Sequence, residues 1–319
     1  MLNFKGRKPG LLGVDIGSSA VKLVELQESN GAWRLAGFVV EPLLAGVVVE
    51  HKVMDIAAFG QSLRQALAGL KPVTRLAAVA VPTSAVISRS MMMPADLGDE
   101  EMEGQLLLEA EQFIPYPLTE VVIDFARRQP PRQGDDPALE RVHLTACRRD
   151  SVVSRVAALQ AGGLEVQVVD VESCAMERAC SLLTPTTGMD LNDMVALVDV
   201  GCAVTTLHVL RAGCCIYSRE QLAGGLHSAE SIVRQVERSL QLFFSSSESC
   251  GAVGGIVLAG GMAATPGTAA MLGERLGIAS VVADPTGRLV PAESIDREVL
   301  RGHAPGLMAA CGLAMRGQI

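Results

Sequence analysis

The stretch "LLGVDIGSSAVKLVEL", Leu11 to Leu26, decides the fold. An acidic residue, Asp15, stands between two apolar ones. Gly17 follows, then Ser18 and Ser19, and Lys22 sits inside a renewed apolar run. Two strands around a Gly-Ser turn account for the pattern. Taken alone, it is either a plain hairpin with Asp at its turn or a loop built to hold an anion.

A second copy separates these readings. "MVALVDVGCAVTTLHVLRAG", Met194 to Gly213, repeats the opening at one common offset. Asp199 answers Asp15, Gly201 answers Gly17 and Val200 answers Ile16. Thr206 answers Lys22, Leu207 answers Leu23 and Leu210 answers Leu26. Each copy runs into a turn with glycine (Gly31, Gly213) and then a further strand, "WRLAGFVV" or "CCIYSREQL". A duplicated strand–turn–strand implies two related lobes, each opening with a β-meander.

The chemistry follows from the residue types. Glycine in D-x-G lets the backbone turn tightly and approach a ligand closely. Turn N–H groups then converge into a nest for an anion. Ser18, Ser19, Thr205 and Thr206 add hydroxyls, and Lys22 can reach a phosphate oxygen. Asp15 and Asp199 face one spot, and paired carboxylates beside phosphates imply Mg²⁺ held through water. A third cluster, "GGIVLAGGMAATPGTAAML", runs from an apolar strand into Gly260, Gly261 and Met262, where a purine or ribose could lie on bare backbone. Gly224 and Gly225 of "LAGG" offer another close approach.

Composition narrows the class. Of 319 residues, 49% are hydrophobic and 19% charged, enough to bury a large core. The net charge of −8 argues against a nucleic-acid partner. Apolar runs are too short and too interrupted for a transmembrane helix, and "MLNFKGRKPG" lacks the apolar region of a secretory signal. The eight cysteines form no C-x-x-C and read as buried apolar groups. The scattered histidines His143, His208, His227 and His303 suggest no catalytic triad. No residue stands out as a base to activate water.

Strand and helix signals alternate between the two copies. "DIAAFGQSLRQALAGL" has helical spacing. "DLGDEEMEGQLLLEAEQFIPYP" reads as a helix capped by Asp96 or Asp99 and stopped by Pro115 and Pro117. "DSVVSRVAALQAGGL" reads as a helix capped by Asp150 and closed by Gly162 and Gly163. "PPRQGDDPALE" is an expected exposed loop and "PTTGMDLND" an expected hinge.

Two D-x-G loops and a late "AGG" loop resemble the actin-like ATPase superfamily. Within it, "EAEQFIPYPL", "VVDVESCAMERA", "IYSREQLAGG", "IVLAGGMAATPG" and "APGLMAACGLAMR" are similar to PilM proteins of type IV pilus assembly, over nearly the whole chain. The resemblance implies an α/β actin-like fold of two lobes. The first lobe would span 1–190, with its core at 1–81 and 166–190 and an FtsA-like inserted subdomain at about 82–165. The second would span 191–319. In one respect the sequence departs from the family: after Gly225 it passes almost directly to "ERSLQLFF". The second lobe's outer subdomain is therefore expected to be shortened, which puts base contacts and ATP affinity in question.

The same resemblance implies a nucleotide-binding scaffold (ATP or ADP with Mg²⁺) with little or no hydrolysis. It would lie in the cytoplasm, peripheral on the inner face of the inner membrane. Its partners would be the cytoplasmic N-terminal tail of PilN, captured between the first lobe's core and the inserted subdomain, then the PilN/PilO complex and the pilus motor. The alternatives are an active ATPase or small-molecule kinase of the superfamily, or an FtsA-like division protein. Against the last, "GLAMRGQI" carries no basic amphipathic helix.

Overall fold

The opening stretch folds as β1 (Leu12–Ile16) and β2 (Ala20–Ser29), and β3 (Ala32–Pro42) completes a meander. The computed structural model describes residues 10–29, 32–128, 138–183, 193–222, 228–246 and 251–318. Next come β4 (Val48–Val49), β5 (Lys52–Val53), α1 (Ile56–Leu70), β6 (Leu76–Val81), β7 (Val86–Pro94) and α2 (Asp99–Ala110). They are followed by β8 (Val121–Arg128), β9 (Leu139–Arg148), α3 (Arg149–Ala161), β10 (Glu165–Val171) and α4 (Glu172–Cys180). The second copy supplies β11 (Met194–Val200), β12 (Val204–Arg211) and β13 (Cys214–Leu222). After it lie α5 (Ala229–Phe244), β14 (Gly255–Ala259), α6 (Thr268–Leu276), β15 (Ser280–Val282), β16 (Val290–Pro291), α7 (Arg297–His303) and α8 (Met308–Ala314).

The sequence repeat is a structural repeat. One sheet has the order β10-β6-β1-β2-β3-β16 and the other β13-β12-β11-β14-β15. Read from the meander, β3-β2-β1-β6-β10 matches β13-β12-β11-β14-β15 strand for strand. The directions match as well: β1 is antiparallel to β2 and parallel to β6, as β11 is to β12 and β14. The register agrees to the residue, since Asp15 faces Lys22 and Asp199 faces Thr206.

Each sheet buries one face under helices. Phe59, Leu63 and Leu67 of α1, with Ala158 and Leu159 of α3, cover Leu12, Val14 and Leu23. Asp55 caps α1 by accepting from the Ala58 N–H at 2.9 Å. Ile232, Val236, Leu240 and Phe243 of α5 cover Val198, Leu207 and Val209 of the second sheet. The inner helices are α4 and α8. A Cβ built on Gly312 of α8 would lie 1.8 Å from the Ala175 carbonyl oxygen of α4, so only glycine lets the two backbones meet.

The chain divides into two compact units: Met1–Pro82 with Arg155–Ile319, and Thr83–Ser154. The second unit holds its own sheet, β7-β9-β8, over a core of Met102, Leu106, Val142 and Leu144. The expected cap of its helix is corrected. Gly98 takes that place, its N–H donating to Glu101 Oε2 at 3.2 Å, and Asp99 becomes the first helical residue. The helix ends at Ala110, before either proline is reached. Asp150 likewise lies inside α3, which starts at Arg149. Residues 129–137 and 184–192, which hold most of the expected exposed loop and hinge, lie outside the described residues, as does Gly31. Among the described residues no helix is long and apolar enough to cross a membrane.

Candidate functional site

The two D-x-G loops share one construction. The Gly17 N–H donates to the Ala20 carbonyl at 3.0 Å, and the Gly201 N–H donates to the Val204 carbonyl at 2.9 Å. A Cβ would stand 2.9 Å from the Ala20 oxygen at Gly17 and 2.7 Å from the Val204 oxygen at Gly201, so each turn excludes a side chain at its glycine. Both loops open onto one cleft of about 300 Å³. The glycine loop after β14 joins them: the Met262 N–H donates to the Val200 carbonyl at 3.0 Å, and the Gly260 N–H to the Pro305 carbonyl at 2.8 Å.

Eleven of the sequence-selected residues line this cleft: Asp15, Gly17, Ser18, Ser19, Lys22, Asp199, Gly201, Thr206, Gly260, Gly261 and Met262. Thr205 does not. Alternation along β12 puts it on the face of Leu207 and Val209, which pack into the second sheet's outer core. Gly224 and Gly225 lie outside the described residues.

Lys22 Nζ lies 2.9 Å from Asp15 Oδ2 and joins the first loop's cation to its carboxylate. Burial works to lower the Lys22 pKa, but Asp15, Asp199 and Glu172 outweigh it and raise the value. Asp199 is raised, first by burial and then by Asp15, with Lys22 opposing.

Three cleft residues escaped the sequence reading. Glu172 is the first residue of α4; burial, then Asp199 and Asp15, lift its carboxyl to about 7. A carboxyl held there can take or release a proton at neutral pH, which the sequence reading had assigned to no residue. His51 sits in the β4–β5 turn with Nε2 3.1 Å from Glu220 Oε1 of β13. Arg155 of α3 donates from Nη2 to the His51 carbonyl at 3.1 Å. The "VDVE" strand end ahead of an apolar helix was the available signal for Glu172; nothing local marks the other two. Among the described residues no three His, Cys, Asp or Glu groups are gathered as metal ligands.

The family described as type IV pilus assembly protein PilM matches residues 13–235 and 228–318. The two matched pieces overlap at residues 228–235, at the start of α5. A solved structure described as the PilM-PilN type IV pilus biogenesis complex is similar at 25% identity, covering 98% of this chain and 99% of that one, with a TM-score of 0.79. The ethanolamine utilization protein EutJ from Carboxydothermus hydrogenoformans shares the fold at 16% identity, covering 97% and 90%, with a TM-score of 0.54.

Proposed function

Because the chain belongs to the PilM family of type IV pilus assembly proteins, we propose that it is a nucleotide-binding scaffold of that machine, holding the N-terminal tail of PilN. The observation that carries the nucleotide reading is the pair of equivalently hydrogen-bonded D-x-G turns opening onto one cleft that Lys22, ion-paired to Asp15, also lines. The residues fit a polyphosphate. Two tight turns bring backbone to the cleft, Ser18, Ser19 and Thr206 supply hydroxyls, and Gly260, Gly261 and Met262 line it with little side chain between backbone and ligand. Lys22 offsets Asp15, and Mg²⁺ held through water would offset the remaining negative charge of Asp199 against a phosphate. Bound Mg-nucleotide would supply charge that draws the two loops together.

In this reading, 1–190 and 191–319 act as two lobes around the cleft, and nucleotide biases which partners bind rather than driving a fast cycle. PilN binding in turn would hold the protein at the cytoplasmic face of the inner membrane, next to PilO and the motor. Calorimetry with Mg-ATP, Mg-ADP and a peptide of the PilN tail tests this. Saturable peptide binding, nucleotide binding abolished by Asp15→Ala and negligible turnover are expected. Absence of peptide binding, or turnover stimulated by a sugar or other small acceptor, would overturn it.

A further inference from the structure

The β4–β5 hairpin does something the cleft chemistry does not require. Its base is rooted in the first lobe: Val47 and Val48 are buried among the core residues under α1, and the Met54 N–H returns to the Val47 carbonyl at 2.8 Å. Its back is held by Arg155, itself buried, through the His51 carbonyl. Its tip crosses to the other sheet, where His51 Nε2 meets Glu220 on β13 at 3.1 Å. Glu220 pairs with Thr206, which pairs with Asp199, so the contact falls on the strand row that carries the second carboxylate. Both turn residues, Glu50 and His51, have left-handed backbones (φ 45° and 63°), where Asn-Gly is the usual choice. The turn therefore carries a bulky histidine against local preference, and the contact it makes lies in the other lobe.

We propose that the Val48–Val53 hairpin is a latch across the cleft, with the His51–Glu220 ion pair as its catch, and that the catch releases when His51 loses its proton. This goes beyond the nucleotide reading and does not depend on it. Burial disfavours a charged His51, but Glu220 and Glu172 outweigh it and raise its pKa, with Arg155 opposing. The charge of Asp199 also reaches His51, and Glu50 and Lys52 are its neighbours along the hairpin. The sign follows: the latched state holds the proton more tightly than the open state, so latching is complete at low pH and is lost as pH rises through the raised pKa. Glu172 works against release, because it becomes anionic as pH rises.

The test reads lobe separation directly, in nucleotide-free full-length protein. Dyes are attached through non-cysteine handles at exposed Gln65 on α1 and Glu274 on α6. Energy transfer in the native protein should fall as pH rises through the His51 titration, which is followed separately from the ring's NMR signals. H51Q and E220Q should give low transfer at every pH, and E220Q should move the His51 titration to lower pH. Transfer that is flat with pH in the native protein, or an equal pH slope in both variants, overturns the latch. An unmoved His51 titration in E220Q removes the catch even if a variant folds poorly. Calorimetric nucleotide binding is scored separately, so either reading can fail alone.

Discussion

Glu172 heads α4 inside the cleft, and its carboxyl is held near 7 by burial, Asp199 and Asp15 in that order. A carboxyl whose pKa rises on folding stabilises the protein only while protonated. Between the ordinary carboxylate value and about 7 the native state holds a proton that the unfolded chain has lost, so stability falls as pH rises across that window. Glu172→Gln keeps the shape and removes the charge. It should stabilise the protein at pH 8, by about 1–2 kcal/mol since the cleft admits water, and leave it nearly unchanged at pH 5. Urea midpoints at the two pH values check this; equal shifts at both would mean that the carboxyl is not strained. At this scale the sequence was informative where the chemistry is local. Asp15 and Asp199 stand out because D-x-G is a three-residue pattern that occurs twice. Glu172, His51 and Arg155 come from three separate elements and become neighbours only through folding. The Thr205-Thr206 pair looks like two hydroxyls for one site, while a strand points them to opposite faces and only Thr206 lines the cleft.

At the scale of elements, α4 and α8 form the crossing on which the two sheets rest. α8 packs against β1, β2, β6 and α4, while Met176 and Ala179 of α4, with Met308 and Ala309 of α8, meet Leu197 and Val257 of the second sheet. Gly312 sits where the helices touch, and a methyl group there would lie 1.8 Å from the Ala175 oxygen. That contact is with backbone, which cannot rotate away. Gly312→Ala should therefore destabilise the protein by about 3 kcal/mol or more, although alanine is the better helix former. The urea midpoint reads the loss; a neutral or stabilising result would show that the helices can separate at little cost. The two meanders were legible here, because the duplicated strand–turn–strand dictates equal antiparallel pairing; the parallel strands that extend each sheet were not. Helix starts were less so. Asp96, Asp99 and Asp150 all suit a cap by residue type, yet α2 starts after Gly98 with Glu101 folding back on it. A residue list cannot say which of several competent caps a tertiary setting selects.

At the scale of the whole molecule, Thr83–Ser154 is a unit with its own sheet and its own apolar centre, inserted into a chain whose other unit carries the entire cleft. Leu144 on β9 is fully buried in that separate centre, with Val142, Met102 and Leu106 as neighbours. Its truncation removes packing only there. Leu144→Ala should cost the inserted unit about 2–5 kcal/mol and leave the core under α1 and α5 untouched. If the units unfold separately, scanning calorimetry of the variant will resolve an early transition that moves with the mutation and a later one that does not. The later transition alone should shift upward with Mg-ATP, because only the unit that binds the ligand gains from its presence. A single transition that shifts as a whole, with nucleotide affinity lost alongside, would instead make the inserted unit part of one cooperative body, and the cleft would then depend on packing at a distance from any residue that lines it.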